Sequence, residues 1–283
     1  MISIVMPAYN EAATIGRALD AVLQAPLPDA LEVIVVCNGC TDTTAEEARR
    51  FGPPVQVIET PIAGKTEALN LGDAAATGFP RIYVDADVVV TSEVLTALVE
   101  RLRAGDALIC SPTGSIDTSR CSWPVRAYFE TRSRLPSALE GIGGSGVYAV
   151  SREGRARFDT FPPVIADDAF ARFHFTPAER ATLTSAKSTV FAPRTLGALI
   201  RVRSRIYCGN AELSERFPGL NTHKTTANLR GMLKLVREPR FWPGAAIYAL
   251  VCVIARLRAR ARARWKTRIW GQDKTTRVAS IAV

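Results

Sequence analysis

A chain of 283 residues, 47% apolar and 22% charged, has the composition of a folded globular protein with one large core or two modest ones, which excludes a disordered or fibrous chain. The formal charge of +9 is unevenly placed, because Arg256, Arg258, Arg260, Arg262, Arg264, Lys266 and Arg268 carry seven positive charges without an intervening acid and leave the remainder near neutral. Six cysteines offer one Cys-x-x-Cys pair, Cys37 and Cys40, and no second pair at zinc-ribbon spacing, so free thiols in a reducing cytosol are expected.

The chain opens on a strand-like run, Ile2 to Met6, without the basic and apolar regions of a leader, and secretion is not expected. The first 113 residues alternate strand and helix patterns at the connection lengths of βα units, predicting a largely parallel sheet with strands at 2–6, 31–37, 55–59, 81–85 and 107–111. Over 11–24, Ile15, Ala18, Leu19, Val22 and Leu23 share a helical face, with Asn10 as N-cap, Glu11 in the first turn and Pro26 and Pro28 as stops. A second helix follows Thr41-Asp42, a third covers about 65–76, and a fourth begins after Ser92. Past residue 113 the alternation fails: an amphipathic stretch at 123–139, a glycine-rich turn at 141–146, a strand at 147–151 and a helix opened by Asp167-Asp168. Residues 217–240 are polar around a central amphipathic helix.

Residues 241–255, FWPGAAIYALVCVIA, are uncharged, but fifteen residues fall short of the ~20 that span a bilayer. Phe241, Trp242, Trp265 and Trp270 bracket this segment and its basic extension, as expected of a segment lying in a membrane interface over anionic lipid. The alternative is a helix packed on the body with a solvated basic end. Nucleic-acid binding is not expected, since the basic stretch adjoins an apolar segment instead of interleaving with stacking aromatics. The expected organisation is 1–113 and 114–216 as two halves of one domain, 217–240 as a connection and 241–283 as the tail.

The chemistry-bearing signal is YVDADVVV at 83–90, where Asp85 and Asp87 stand one residue apart at the end of a strand and can converge on one hard cation. In an open α/β sheet, Tyr9-Asn10, Asn38-Gly39 and Asp85-Ala86-Asp87 fall on the same ligand-binding rim. Ala63-Gly64-Lys65-Thr66 lacks the earlier glycine of a P-loop, Glu59 standing in its place, and no Gly-x-Gly-x-x-Gly follows the first strand. Asp167-Asp168 adds a second acidic pair, which either caps a helix or supplies a carboxylate base. A cation to neutralise a diphosphate leaving group and a base to accept a proton are the two needs of a displacement at a diphosphate-bearing carbon.

VMPAYNEAATIGRAL at 5–19, VVCNGCTDTT at 35–44, GKTEALNLG at 64–72, YVDADVVV at 83–90, GGSGVYAVSR at 143–152 and DDAFARFHF at 167–175 together resemble the family 2 glycosyltransferases over about residues 1–210. The resemblance implies a GT-A fold, with a Rossmann-like, mostly parallel sheet flanked by helices. It also implies a nucleoside-diphosphate-sugar donor, UDP-sugar foremost and GDP- or dTDP-sugar as alternatives, Mg²⁺ or Mn²⁺ at the Asp-x-Asp motif, and transfer with inversion. Carried over by residue, it implies that Pro7, Tyr9, Glu11, Asn38, Asp42, Lys65 and Asn70 surround the nucleotide, and that Asp85 binds the nucleoside side while Asp87 ligates the metal. Gly143, Gly144 and Ser145 resemble the acceptor loop. Asp168 matches the general base, and Asp167 replaces the glutamate beside it. Arg203 and Arg205 fall where processive members carry Gln-x-x-Arg-Trp and are candidates to meet the diphosphate, or are structural. Loss of the glutamine and tryptophan favours a single-transfer enzyme. The expectation is a metal-dependent transferase at the cytoplasmic face of a membrane, acting on a lipid-linked or growing glycan. A non-catalytic sugar-nucleotide-binding protein and a nucleotidylyltransferase are the rivals.

Overall fold

The computed structural model describes residues 1–24, 29–138, 142–220 and 227–264. Pro26, Pro28, Gly141 and the basic tail beyond 264, with Trp265 and Trp270, lie outside the described residues.

The N-terminal elements follow in the order β1 (Ile2–Ala8), α1 (Ile15–Leu23), β2 (Leu31–Asn38), α2 (Thr44–Arg49), β3 (Val55–Thr60), α3 (Lys65–Ala75), β4 (Arg81–Val84), β5 (Val88–Val89) and α4 (Ser92–Arg103). After them come β6 (Ile109–Asp117), α5 (Trp123–Ser133), β7 (Val147–Val150), α6 (Arg152–Arg155), α7 (Asp167–Phe173), β8 (Arg180–Phe191), α8 (Leu196–Arg216), α9 (Ala227–Leu235) and α10 (Trp242–Arg264). The strands form one sheet in the order β3-β2-β1-β4-β7-β6-β8-β5. β3, β2, β1 and β4 run parallel, and β7 turns antiparallel against both β4 and β6. Strand order reverses between β1 and β4, the switch point at which open sheets bind ligands beyond their carboxyl ends.

Every residue of β1 is buried, which explains its unbroken apolar run: helices cover both faces of the parallel strands. Ile4, Met6, Val33, Val35 and Ile82 pack with α1 and α4 residues Leu19, Val22, Leu95 and Leu98, while Ile34 and Val36 meet Ala68 of α3 on the other side. α3 approaches so closely that a Cβ on Gly72 would lie 2.4 Å from Val5 Cγ1, so glycine is required there.

Contact density divides the chain into residues 1–115 with 141–190, and residues 116–140 with 191–283. This differs from the sequential halves expected, because β7, α7 and most of β8 return to the sheet begun by β1 to β4. β8 and α8 were not foreseen. β8 alternates exposed and half-buried positions in a polar run, which carries little apolar signal. In the second unit, α10 packs on α8 and α5 around Val125, Tyr128, Leu199, Val251 and Cys252.

One buried ionic cluster ties α3 to the sheet in the first unit. Asp73 accepts from Arg81 at 2.9 Å, from Arg155 at 2.8 Å and from the Tyr83 hydroxyl at 2.9 Å, and its side chain is 7% exposed. Removing one partner of a buried, fully hydrogen-bonded ion pair leaves an uncompensated charge. Asp73→Ala is expected to destabilise the protein by about 3–5 kcal/mol, read as a lower urea midpoint at unchanged slope.

Candidate active site

Three loops at the carboxyl ends of β1, β2 and β4 build the site. Asn10, expected as an N-cap, instead adopts a positive φ of 52° and accepts from the Thr41 backbone N–H at 2.8 Å, so it joins the first loop to the second, and α1 begins only at Ile15. Asp42 accepts from Ala12 N at 3.2 Å and Thr44 N at 3.1 Å, and Thr44 Oγ1 in turn accepts from Glu11 N at 2.8 Å. The Glu11 carboxylate is buried and accepts from Thr14 at 2.7 Å. Pro7 is buried at the end of β1, with Tyr9 half-buried just beyond it. Asn38 is a second clamp: its amide donates to Ala8 O at 2.9 Å and its oxygen accepts from Gly64 N at 3.1 Å, fixing the residue that starts α3.

Lys65 therefore enters the site from the first turn of α3. Its ammonium lies 2.7 Å from Asp85 Oδ1 and 3.0 Å from Asp167 Oδ2, joining the end of β4 to the start of α7. Burial alone would lower the Lys65 pKa, but Asp167, Asp85 and Asp168 outweigh it and hold the group above the ordinary lysine range. Burial pushes Asp167 up to about 6, aided by the charges of Asp168 and Asp85 and opposed by Lys65. Asp168 faces elsewhere. Its Oδ2 stands 3.3 Å from where a Cβ would sit on Gly143, a residue at φ +93°, so the acceptor-like loop can approach this carboxylate only as glycine.

Asp85 and Asp87 do not continue a strand. β4 stops at Val84, and Val88 N donates to Asp85 O at 3.1 Å, so Asp85-Ala86-Asp87 is a tight turn and the alternation of strand side chains does not apply. Asp85 N donates to Gly146 O at 2.9 Å, holding this turn against the glycine-rich loop. Pro7, Lys65, Tyr83, Asp85, Gly143, Gly146, Tyr148, Asp167 and Asp168 line one cavity.

Other expected site residues hold the frame. Both ends of the Asn70 amide are engaged by Phe161 backbone, at 3.0 Å and 2.8 Å. Ser145 is buried and donates to Val147 O at 2.7 Å, while Gly144 is half-buried next to it. Arg203 and Arg205 belong to α8 of the second unit.

Tyr148 escaped sequence reasoning. It stacks on Tyr83 at 4.9 Å, is 5% exposed, and its hydroxyl has no hydrogen-bond partner although it lines the cavity. Burial and the nearby Asp167 raise its pKa well above the usual value, so it remains a donor. Its one sequence trace is the tyrosine inside GGSGVYAVSR, which reads as an ordinary strand aromatic.

The family model for glycosyl transferase family 2 matches residues 3–152. The chain belongs to that family. Glycosyltransferase AglD of Haloferax volcanii is 39% identical over 113 residues, 37% of this chain and 18% of that protein. Glucosyl-3-phosphoglycerate synthase of Mycobacterium tuberculosis is 31% identical over 180 residues, 54% of each chain. The family 2 chain thus spans about half or less of these relatives' length. Among solved structures, the mannosyltransferase PcManGT from Pyrobaculum calidifontis, in complex with GDP-Man and Mn²⁺, superposes with a TM-score of 0.61 at 23% identity over 93% of this chain and 75% of that one. The Mycobacterium tuberculosis synthase with Mn²⁺, UDP and glucosyl-3-phosphoglycerate gives 0.55 at 24%, over 76% and 79%. The chain shares the α/β fold of these solved glycosyltransferases, and the expectation of family 2 membership on a mostly parallel α/β sheet holds.

A carboxyl group raised by burial contributes stability below its unfolded pKa of 3.8 and loses it as pH rises through about 6. Relative to Asp167→Asn, the ligand-free wild type is expected to lose on the order of 2 kcal/mol between about pH 4 and pH 7. Paired thermal melts across that range check the difference.

Proposed function

We propose that this enzyme is a metal-dependent inverting transferase that moves a single sugar from a nucleoside-diphosphate-sugar to a lipid-linked or growing glycan. One observation carries the reading: Lys65 ties Asp85 to Asp167, and Asp85, Asp167 and Asp168 line one cavity.

The donor set suits a hard cation held in part by substrate. Asp85 and Asp87 offer carboxylate oxygens, and among the described residues no group of three His, Cys, Asp or Glu gathers to enclose an ion. Asp87 and Asp85 would hold such a cation with positions to spare for a phosphate-bearing substrate, as suits Mg²⁺ or Mn²⁺. When bound, it supplies charge to stabilise the departing nucleoside diphosphate. The Mn²⁺ in the two solved relatives supports this choice. UDP and GDP-Man in the same two structures leave UDP- and GDP-sugars as the leading donor classes.

Pro7, Tyr9, Glu11, Asn38 and Asp42 form the nucleoside pocket at the switch point of the sheet. Lys65 neutralises Asp85 and meets the diphosphate, and Asn70 braces the wall from behind. Asp168 accepts the acceptor hydroxyl proton at the Gly143–Ser145 loop. The acceptor oxygen then bonds to the anomeric carbon on the face opposite the breaking bond to the diphosphate, and the anomeric configuration inverts. The Tyr148 hydroxyl donates to the sugar or its phosphate from below.

α10 supports a place at the inner face of the cell membrane. The helix over Pro239–Ala261 is long and apolar enough to cross a membrane, with mean hydropathy 1.4, yet one face is spent on α5 and α8. Leu250, Val253 and Leu257 are each more than half exposed at helical spacing beside Arg256, Arg258 and Arg260, the arrangement of an interfacial helix.

A panel of UDP-, GDP- and dTDP-sugars with Mn²⁺ or Mg²⁺ tests the chemistry. One donor is expected to raise the melting temperature in a metal-dependent way, with Asp87→Ala losing that gain and Asp168→Ala keeping it while turnover falls about 10²–10⁴-fold. Silence from every donor sinks the reading. For the membrane, co-sedimentation with anionic vesicles at low salt is expected. Serine at 250, 253 and 257 together should weaken it more than about tenfold, and a protein that stays in the supernatant is not peripheral.

A further inference from the structure

An acceptor hydroxyl can reach Asp168 only if the Gly143–Ser145 loop stays at a fixed distance from α7. Within the first unit, the end of this loop that leads into β7 is fixed to the sheet. A Cβ on Gly114 of β6 would lie 2.6 Å from Gly144 O, so the two backbones touch there. Ser188 Oγ of β8 donates to Ser145 O at 2.7 Å, and Asp85 N donates to Gly146 O at 2.9 Å. None of these contacts involves Gly143, which is exposed and sits at φ +93°.

The other end of the loop is held from α7. Arg172 Nη1 donates to Ile142 O at 3.3 Å, and the guanidinium stands over the Phe173 ring at 4.7 Å. Arg172 follows Asp168 by four residues, one helical turn, so the two side chains leave the same face of α7. Two adjacent loop residues thus meet one face of one helix. Ile142 meets it through Arg172, and Gly143 meets it through Asp168, whose Oδ2 lies 3.3 Å from a Cβ position on Gly143. Ile142 is itself buried, and a hydrogen bond from a charged donor is stronger than one between neutral groups. The carboxylate and the anchor of the loop it faces are therefore carried on one rigid element.

We infer that Arg172 is a positioning residue for the transfer: by holding Ile142 O it fixes the spacing between Asp168 and the loop over which the acceptor lies. It acts through the loop backbone and handles no proton. The role in transfer rests on the reading of Asp168 as base and of Gly143–Ser145 as the acceptor loop, but the anchor is measurable without donor or acceptor, so the two can fail separately.

Hydrogen exchange of the full chain, followed over residues 142–150 and over α7, tests the anchor in wild type, Arg172→Ala and Arg172→Lys. Arg172→Ala is expected to speed exchange at 142–146 by about tenfold while α7 keeps its protection, and Arg172→Lys, which retains a charged donor, to fall between it and wild type. Unchanged exchange at 142–146, or α7 opening to the same degree, overturns the assignment. The kinetic arm uses GDP-mannose and UDP-glucose with Mn²⁺, and polyprenyl phosphate in detergent micelles and octyl glucoside as acceptors. Arg172→Ala is expected to raise the acceptor KM and lower kcat/KM for the acceptor roughly 10- to 100-fold with the donor KM unchanged, and Arg172→Lys to recover part of the loss. A residue that only supports the fold lowers kcat and moves neither KM, the result expected of Arg157→Ala, which loses an ion pair with Glu179 at 2.6 Å. That same pattern in Arg172→Ala overturns the positioning role. If the wild type turns over neither donor, faster exchange at 142–146 still supports the anchor and the failure falls on the transferase reading. Unchanged exchange beside an Asp168→Ala variant that loses turnover leaves that reading intact and removes Arg172 from it.

Discussion

The ammonium of Lys65 is the constraint on which the active site depends. Three carboxylates, Asp85, Asp167 and Asp168, act on it, and two of them touch it from different elements of the fold. Without a cation between them, Asp85 and Asp167 would repel across a poorly solvated gap, and the turn after β4 could not lie against the start of α7. The position of Lys65 is in turn set by Asn38, which holds Gly64 to the end of β1, and by Gly72, whose missing Cβ lets α3 settle on Val5. A side chain at the end of β2 and a glycine two turns into α3 thus determine where a charge sits at the cavity.

The second unit obeys a different rule. Its helices owe their association to an apolar seam of Val125, Leu199, Val251 and Cys252, and α10 serves that seam with one face only. The exposed Leu250, Val253 and Leu257 lie outside that seam. Of the two readings of this segment that the sequence left open, the packed helix is observed on one face of α10, and the exposed apolar face is what the interfacial proposal rests on. A helix that is apolar beyond the needs of its own packing calls for a second apolar surface.

Much of the first unit was legible because its physics is local. Continuous apolar runs such as IVVC mark strands buried on both faces, and the face shared by Leu95, Leu98 and Leu102 marks α4. The motifs located the rim because parallel strands deliver their carboxyl ends to one edge. What stayed hidden depends on partners distant in sequence. Asn10 resembles a cap until Thr41 is seen across from it, Asn70 resembles a ligand contact until Phe161 occupies both ends of its amide, and the antiparallel return of β7 and β8 has no periodic signature. Asp85 and Asp87 stand on a turn and not at a strand end, a difference that strand alternation could not reveal.

The adjacent acids of α7 show why identity in sequence does not mean identity in role. Consecutive helical positions point about 100° apart, so Asp167 and Asp168 meet different neighbours although both line the cavity. Asp167 turns inward, where burial would keep it protonated and Lys65 counters that tendency. Asp168 is half-buried against the Gly143 loop, and its backbone neighbour Ala169 donates to its Oδ1 at 2.7 Å, leaving Oδ2 toward the loop. A base must be ionised before the acceptor arrives and must reach its proton. The inward acid is paired with a lysine and the outward one faces the loop, the arrangement on which the proposed role of Asp168 rests. On the proposed mechanism, aspartate in place of the family's glutamate at 167 fits the same logic, because the shorter side chain need only reach the Lys65 ammonium.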